Sequence, residues 1–206
     1  MRAWNKFIEP HILTVIVVAI FTAIIITIQS YILLFQSGAI NFIGAVVAVT
    51  VIKETGPVIT GLLCASMVGD SINQNLYRLR TTDQLDALIT LNHDPLKTVI
   101  TPIAITGVLG TVVLIIYGTA AGIITGFLTC YTLGIPIGYI LLDIPTYITH
   151  NDIIITLIKS SIFGIIISSV GVYRGITATT FTPAAGLISV LIIIIDALIA
   201  YGWWST

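Results

Sequence analysis

The chain has 206 residues, of which 57% are hydrophobic and only 8% charged, with a formal net charge of −1. A soluble domain carries about a quarter charged residues, so this composition excludes one and describes a protein that lives in a bilayer. The near-neutral balance supplies no basic surface, and no nucleic acid is expected as a partner. Cys64 and Cys130 sit in apolar runs without Cys-x-x-Cys or Cys/His grouping. They read as buried small hydrophobes, not as metal ligands or a disulfide.

Residues 1–10 form a short mixed lead-in with Arg2, Trp4, Lys6 and Glu9, closed by Pro10. The apolar run from Ile12 to Phe35 is long enough to cross a hydrocarbon core, which needs about 20 residues. It is too long for the apolar core of a signal peptide, and no clear small-residue cleavage site follows. Gln36-Ser-Gly breaks the chain, and a second span runs over 39–68 with Lys53, Glu54, Gly56 and Pro57 inside it. A polar stretch, 70–95, comes next. The third span covers 99–128 and must tilt, bend or project, being about 45 Å long as a straight helix. Gly118, Gly122 and Gly126 recur in it every four residues and flatten one face for close helix packing.

From Tyr131 to Asp152 the chain is apolar but broken by Gly134, Pro136, Gly138 and Pro145. Tyr131, Tyr139 and Tyr147 are interleaved there, as suits a segment at the membrane interface. A fourth span, 153–173, carries Lys159, and a threonine-rich turn separates it from the fifth, 183–204. The fifth span carries Asp196 and ends in Trp203-Trp204, an interfacial anchor. The fold class expected is therefore all-α, a polytopic membrane protein of about five spans in one domain over 1–206. With the N-terminus cytoplasmic, Arg2, Lys6, Arg78, Arg80, Lys97 and Arg174 all fall inside. The external connections 36–38 and 131–152 then hold neither lysine nor arginine, as the positive-inside rule requires.

Two constellations carry the chemistry. In the polar stretch, Thr81 with Gln84 fits a capping box that would open a helix over about 81–91. Leu85, Leu88 and Ile89 give that helix an apolar face, and Asp94-Pro95 would stop it. It reads either as a docking surface for a soluble partner or as a connector packed on the protein's own underside. In the spans, Lys53, Glu54 and Lys159 are ionisable groups where such groups are expensive and mark a functional site by default. They can line a cavity for a charged head group, or pair for structure alone, for example Lys53 or Lys159 with Asp196. Gly56-Pro57 removes a backbone hydrogen bond beside them and favours a kink. There is no Gly-x-x-x-x-Gly-Lys-Ser/Thr loop and hence no nucleotide site of that kind. His11, His93 and His150 lack metal-ligand spacing, and no Ser/His/Asp arrangement for hydrolysis stands out.

The segments Lys-Glu-Thr-Gly-Pro-Val-Ile-Thr-Gly-Leu-Leu (53–63), Thr-Asp-Gln-Leu-Asp-Ala-Leu (82–88), Asp94-Pro95 and Leu-Ile-Lys-Ser-Ser-Ile-Phe-Gly (157–164) together resemble the MlaE/YrbE family. These are permease subunits of ABC transporters that work with MCE proteins on lipids, and the similarity is collinear from about residue 12 onward. The resemblance implies a non-enzymatic permease with no cofactor of its own, ATP being bound by a partner subunit. Its implied partners are a cytoplasmic ABC ATPase, an MCE-domain protein, a second permease copy and phospholipid. It implies a lipid pocket between two permease subunits that uses Lys53, Glu54 and Lys159, with Gly56 and Pro57 as a hinge. Arg80, Thr82, Asp83, Gln84 and Asp86 would couple to the ATPase. The expected setting is a bacterial inner membrane or a plastid inner envelope. A scaffold that anchors an ATPase or MCE protein without moving lipid is the alternative. A carrier that titrates Lys53, Glu54 and Asp196 is a third reading, made less attractive by the docking helix. The chain departs from the family's habit at Ala65-Ser66-Met67 and Gln74-Asn75-Leu76-Tyr77, where an arginine and a glutamate are usual.

Overall fold

Isoleucine, valine and threonine dominate the apolar runs, and in water these β-branched residues favour strands over helices. A hydrocarbon core reverses that preference. It offers no water to backbone N–H and C=O groups, so each segment must satisfy its own, and a helix does so. The computed structural model describes residues 8–136, 138, 140, 147–178 and 180–204, with Trp203 and Trp204 described by their backbone alone. It is helical throughout its regular elements and contains no strand among the described residues.

We number the helices in chain order as α1 (Glu9–Gln36), α2 (Ile40–Thr81), α3 (Gln84–Thr90), α4 (Leu96–Thr132), α5 (His150–Thr177) and α6 (Ala185–Trp204). All but α3 are long and apolar enough to cross a membrane, which makes this a polytopic all-α membrane protein with five spans. Two of them outrun the apolar stretches that mark them. α2 has 42 residues and continues three turns past Val68 to Thr81, about 63 Å in all. The polarity that begins at Asp70 ends the hydrocarbon crossing, not the helix, because Asp70–Thr81 contains no proline or glycine to break the ladder. Its helical face is amphipathic: Ile72 and Leu76 are fully buried, four residues apart, while Gln74, Arg78 and Arg80 are exposed.

Contacts divide the chain into two compact units. One consists of 12–60 with 115–159. Its buried core is Ile43, Val47, Val51, Cys130, Ile135 and Ile140, with Tyr31, Leu34 and Phe127 packed on it. Here the glycine ridge of α4 meets its neighbours. A Cβ on Gly126 would stand 2.7 Å from Val47 Cγ1, and one on Gly122 would stand 3.1 Å from Val51 Cγ1. Lipid tails are as apolar as leucine, so close packing of this kind, not exclusion of water, holds membrane helices together.

The other unit consists of 1–11, 61–114 and 160–206. Its ridge lies on α5: Gly171 lies against Gly69 and Ile72, and Gly175 against Leu76 and Asn73. Fully buried Phe163, Ile167, Ile188 and Ile192 fill the rest of its core. Large apolar side chains elsewhere face outward, Leu13, Phe21 and Leu33 on α1 and Val190, Ile193 and Leu198 on α6 among them. An apolar exterior of this extent suits acyl chains, not water.

Candidate functional site

The intramembrane charges expected at Lys53, Glu54 and Lys159 fall in one cluster within the unit of 12–60 and 115–159. α2 carries the first two on a π-helical turn, Thr50–Thr55, directly before Gly56-Pro57. π turns of this length are rare and recur at functional sites. α5 brings the partners. Lys159 Nζ lies 3.4 Å from Glu54 Oε2 and donates to the Lys53 carbonyl at 3.1 Å. Lys53 Nζ lies 2.9 Å from Asp152 Oδ1. The fold thus gives Lys53 the carboxylate of Asp152 and Lys159 that of Glu54. These four side chains sum to zero formal charge, which lowers the cost of holding ionised groups within the spans. Exposure divides it. The side chains of Asp152 and Lys159 are 3% and 4% exposed, those of Lys53 and Glu54 26% and 44%. Lys53 and Glu54 are the members that something outside the chain can reach.

Sequence reasoning missed Asp152, which fell in the segment read as interfacial. The residue has two tasks. Its Oδ2 accepts from the Thr149 amide at 2.8 Å, the backward half of a capping box at the start of α5, and its Oδ1 takes Lys53. Thr149-x-x-Asp152 before an apolar run was the legible signal. Thr156 was missed as well, with no local pattern to reveal it. Its hydroxyl lies 3.1 Å from the Ile52 carbonyl and 2.9 Å from that of Asp152. One turn away on α2, a groove of about 360 Å³ is lined by Phe42, Ala45, Val46, Val49, Thr50 and Tyr147. Of the other two tyrosines expected at the interface, Tyr131 is exposed and Tyr139 lies outside the described residues, as do the side chains of Trp203 and Trp204.

The polar helix is present, with different ends from those expected. Thr81 is the last residue of α2, and its hydroxyl returns to the carbonyls of Tyr77 and Arg78, so it opens no capping box. The residue before α3 is Asp83, held at φ 56° with no side-chain cap. The left-handed turn at Asp83 breaks α2 from α3, which leaves Thr81 on the wrong side of the break. Nor does Asp94-Pro95 stop α3. The helix ends at Thr90, with Asn92 left-handed at φ 58° and the His93 amide returning to the Leu88 carbonyl. That is a Schellman closure. Asp94 starts α4 instead: Oδ1 accepts from the Leu96 amide at 3.0 Å, and Pro95 takes the first helical position, where its missing N–H costs nothing.

Of the five residues proposed for coupling, Asp83, Gln84 and Asp86 stand exposed on or beside α3. Thr82 returns its hydroxyl to the Arg78 carbonyl, and Arg80 donates to the Ala178 carbonyl at 3.1 Å. Leu85 and Leu88 of the expected apolar face are half-buried, while Ile89 is exposed, as are Leu91 and Leu96 nearby. Among the described residues no group of three or more His, Cys, Asp or Glu side chains could hold a metal ion.

A model of the family described as Permease MlaE matches residues 2–201. The chain belongs to the MlaE permease family. Among individual relatives, a probable ABC transporter permease of Rickettsia conorii is 34% identical over 171 residues, 82% of this chain and 66% of the relative. The intermembrane phospholipid transport system permease MlaE of Haemophilus influenzae is 32% identical over 117 residues, 57% of this chain and 45% of that one. A probable ABC transporter permease of the cyanobacterium Synechocystis is 29% identical over 175 residues, 83% of this chain and 65% of the relative. The permease thus spans a little under two thirds of the length of the Rickettsia relative.

Proposed function

We propose that this chain is the membrane permease subunit of an ABC-type phospholipid transporter, driven by a separate cytoplasmic ATPase. The observation that carries the reading is the four-membered charge cluster inside the spans. Its more exposed members, Lys53 and Glu54, follow on α2 directly after the residues of that helix, Phe42 to Thr50, that line an apolar groove. Charge and an apolar groove on one helix suit a molecule with a charged head and greasy tails. The family membership and the phospholipid named for the Haemophilus relative point the same way.

In this reading a lipid head group meets Lys53 and Glu54, with Lys159 behind them, and the cavity is completed by a second permease copy. Asp83, Gln84 and Asp86 on α3 present acid and amide groups to an ATPase. α3 joins α2 through the two-residue turn at Thr82-Asp83 and joins α4 through Leu91–Asp94, so a push on it reaches both spans. Gly56 and Pro57 supply the bend. An MCE-domain protein takes the lipid on the opposite side. The bias of Arg78, Arg80, Lys97 and Arg174 supports a cytoplasmic or stromal side for α3 and the N-terminus, in a bacterial inner membrane or plastid envelope.

The test is purification of the complex from its native membrane in mild detergent, with the bound lipid read by mass spectrometry. The wild-type chain is expected to bring down an ATPase and phospholipid. Asp83→Lys with Asp86→Lys should lose the ATPase while membrane insertion persists. Undiminished ATPase in the variant removes the docking site, and a lipid-free complex makes the chain a scaffold instead.

A further inference from the structure

Proline at 57 leaves α2 one backbone donor short. In the α register the amide of residue 57 would serve the carbonyl of Lys53, four residues back, and in the π register that of Ile52, five back. The π register holds up to this point, since the Gly56 amide bonds the Val51 carbonyl. Pro57 has no N–H and serves neither. Both carbonyls have a donor on α5: Lys159 Nζ lies 3.1 Å from Lys53 O, and the Thr156 hydroxyl lies 3.1 Å from Ile52 O, sharing its one proton between that carbonyl and Asp152 O at 2.9 Å. Thr156 and Lys159 are three residues apart, one helical turn, and so stand on the same face. Their spacing along α5 matches the adjacent carbonyls they meet.

We infer that Thr156 and Lys159 are positioning residues that stand in for the backbone donor missing at Pro57 and thereby hold the π turn of α2 before it in one geometry. In hydrocarbon an unmet carbonyl is costly, and neighbouring side chains are one of the few remedies. The same ammonium that reaches Lys53 O also pairs with Glu54, so Lys159 fixes the turn and aims the carboxylate together. A side chain can withdraw and return without unwinding the helix it props, which a backbone donor cannot do. This inference stands whether or not the permease carries lipid, because it concerns only how α2 is held.

A double-mutant cycle on the full-length protein in detergent micelles tests it. Thr156→Val removes the hydroxyl at nearly constant shape and is expected to lower the unfolding midpoint, with Thr156→Ser restoring it. Pro57→Ala returns an N–H to the backbone. In that background Thr156→Val should lose less than half as much as in the native one. Lys159→Met, made alongside Glu54→Gln so that no carboxylate is stranded, should show the same dependence on Pro57. Pro57→Ser serves equally if Pro57→Ala does not insert. Equal losses in both backgrounds, for Thr156 and for Lys159, would overturn the inference, since each residue would then act independently of the proline.

Discussion

Two stretches of α2 solve the same problem in opposite directions. At Thr50–Pro57 the backbone of α2 lacks the Pro57 donor, and side chains of α5 reach the carbonyls beside it. At Asp70–Thr81 the side chains of α2 supply the backbone that links α5 to α6. Asp70 Oδ1 accepts from the amides of Ala184 at 2.6 Å and Ala185 at 3.1 Å, where α6 begins. Asn73 donates to the Thr182 carbonyl at 2.9 Å, and Arg80 to Ala178. One stretch receives and the other gives. In each the polar group is tied to a backbone atom of a distant segment, which is how a sparse set of polar residues can hold long apolar helices in register. The first also holds a cluster of paired charges with partly exposed members.

The largest loss is expected at the cluster. Asp152→Ala takes from the Lys53 ammonium its carboxylate at 2.9 Å, and removing one partner of a buried pair costs about 3–5 kcal/mol. The part-exposure of Lys53 places the expected loss at the lower end of that range. Unfolding titrations in mixed micelles should register it, and Lys53→Met with Asp152→Leu should recover most of it. A smaller loss belongs to the other stretch. Asp70→Ala removes the cap of α6, worth about 1 kcal/mol, while Asp70→Asn keeps an acceptor and most of the stability. Thermal melts of the two variants separate a cap from a bare charge effect. The smallest change sharpens the reading of α3. Thr81→Ala should shift stability by about 0.5 kcal/mol or less, because its hydroxyl only returns to its own helix. A loss near 1 kcal/mol in the same assay would restore the capping box.

The spans were legible in the sequence because twenty or more apolar residues admit few other fates. Their ends were less so, since hydropathy marks where lipid stops and says nothing of where hydrogen bonding stops. Hence the three extra turns of α2. Asp94-Pro95 was legible as punctuation but read backwards: an Asp followed by Pro suits the start of the next helix as well as the end of the last. Lys53, Glu54 and Lys159 stood out as charges, but Asp152 lies about a hundred residues from Lys53, and no local pattern links the two. The dependence of Pro57 on Thr156 is tertiary altogether, invisible until α5 lies beside α2.

A π turn winds one residue more than the α register around it, and α2 contains two, at Thr50–Thr55 and Ala65–Gly69. Relaxing either one to α geometry would turn the downstream helix by about 100° about its own axis, the angle one residue subtends. A helix so built is a screw as much as a rod. Glu54 lies within the first of these turns, so the direction of its carboxylate depends on which register the turn holds.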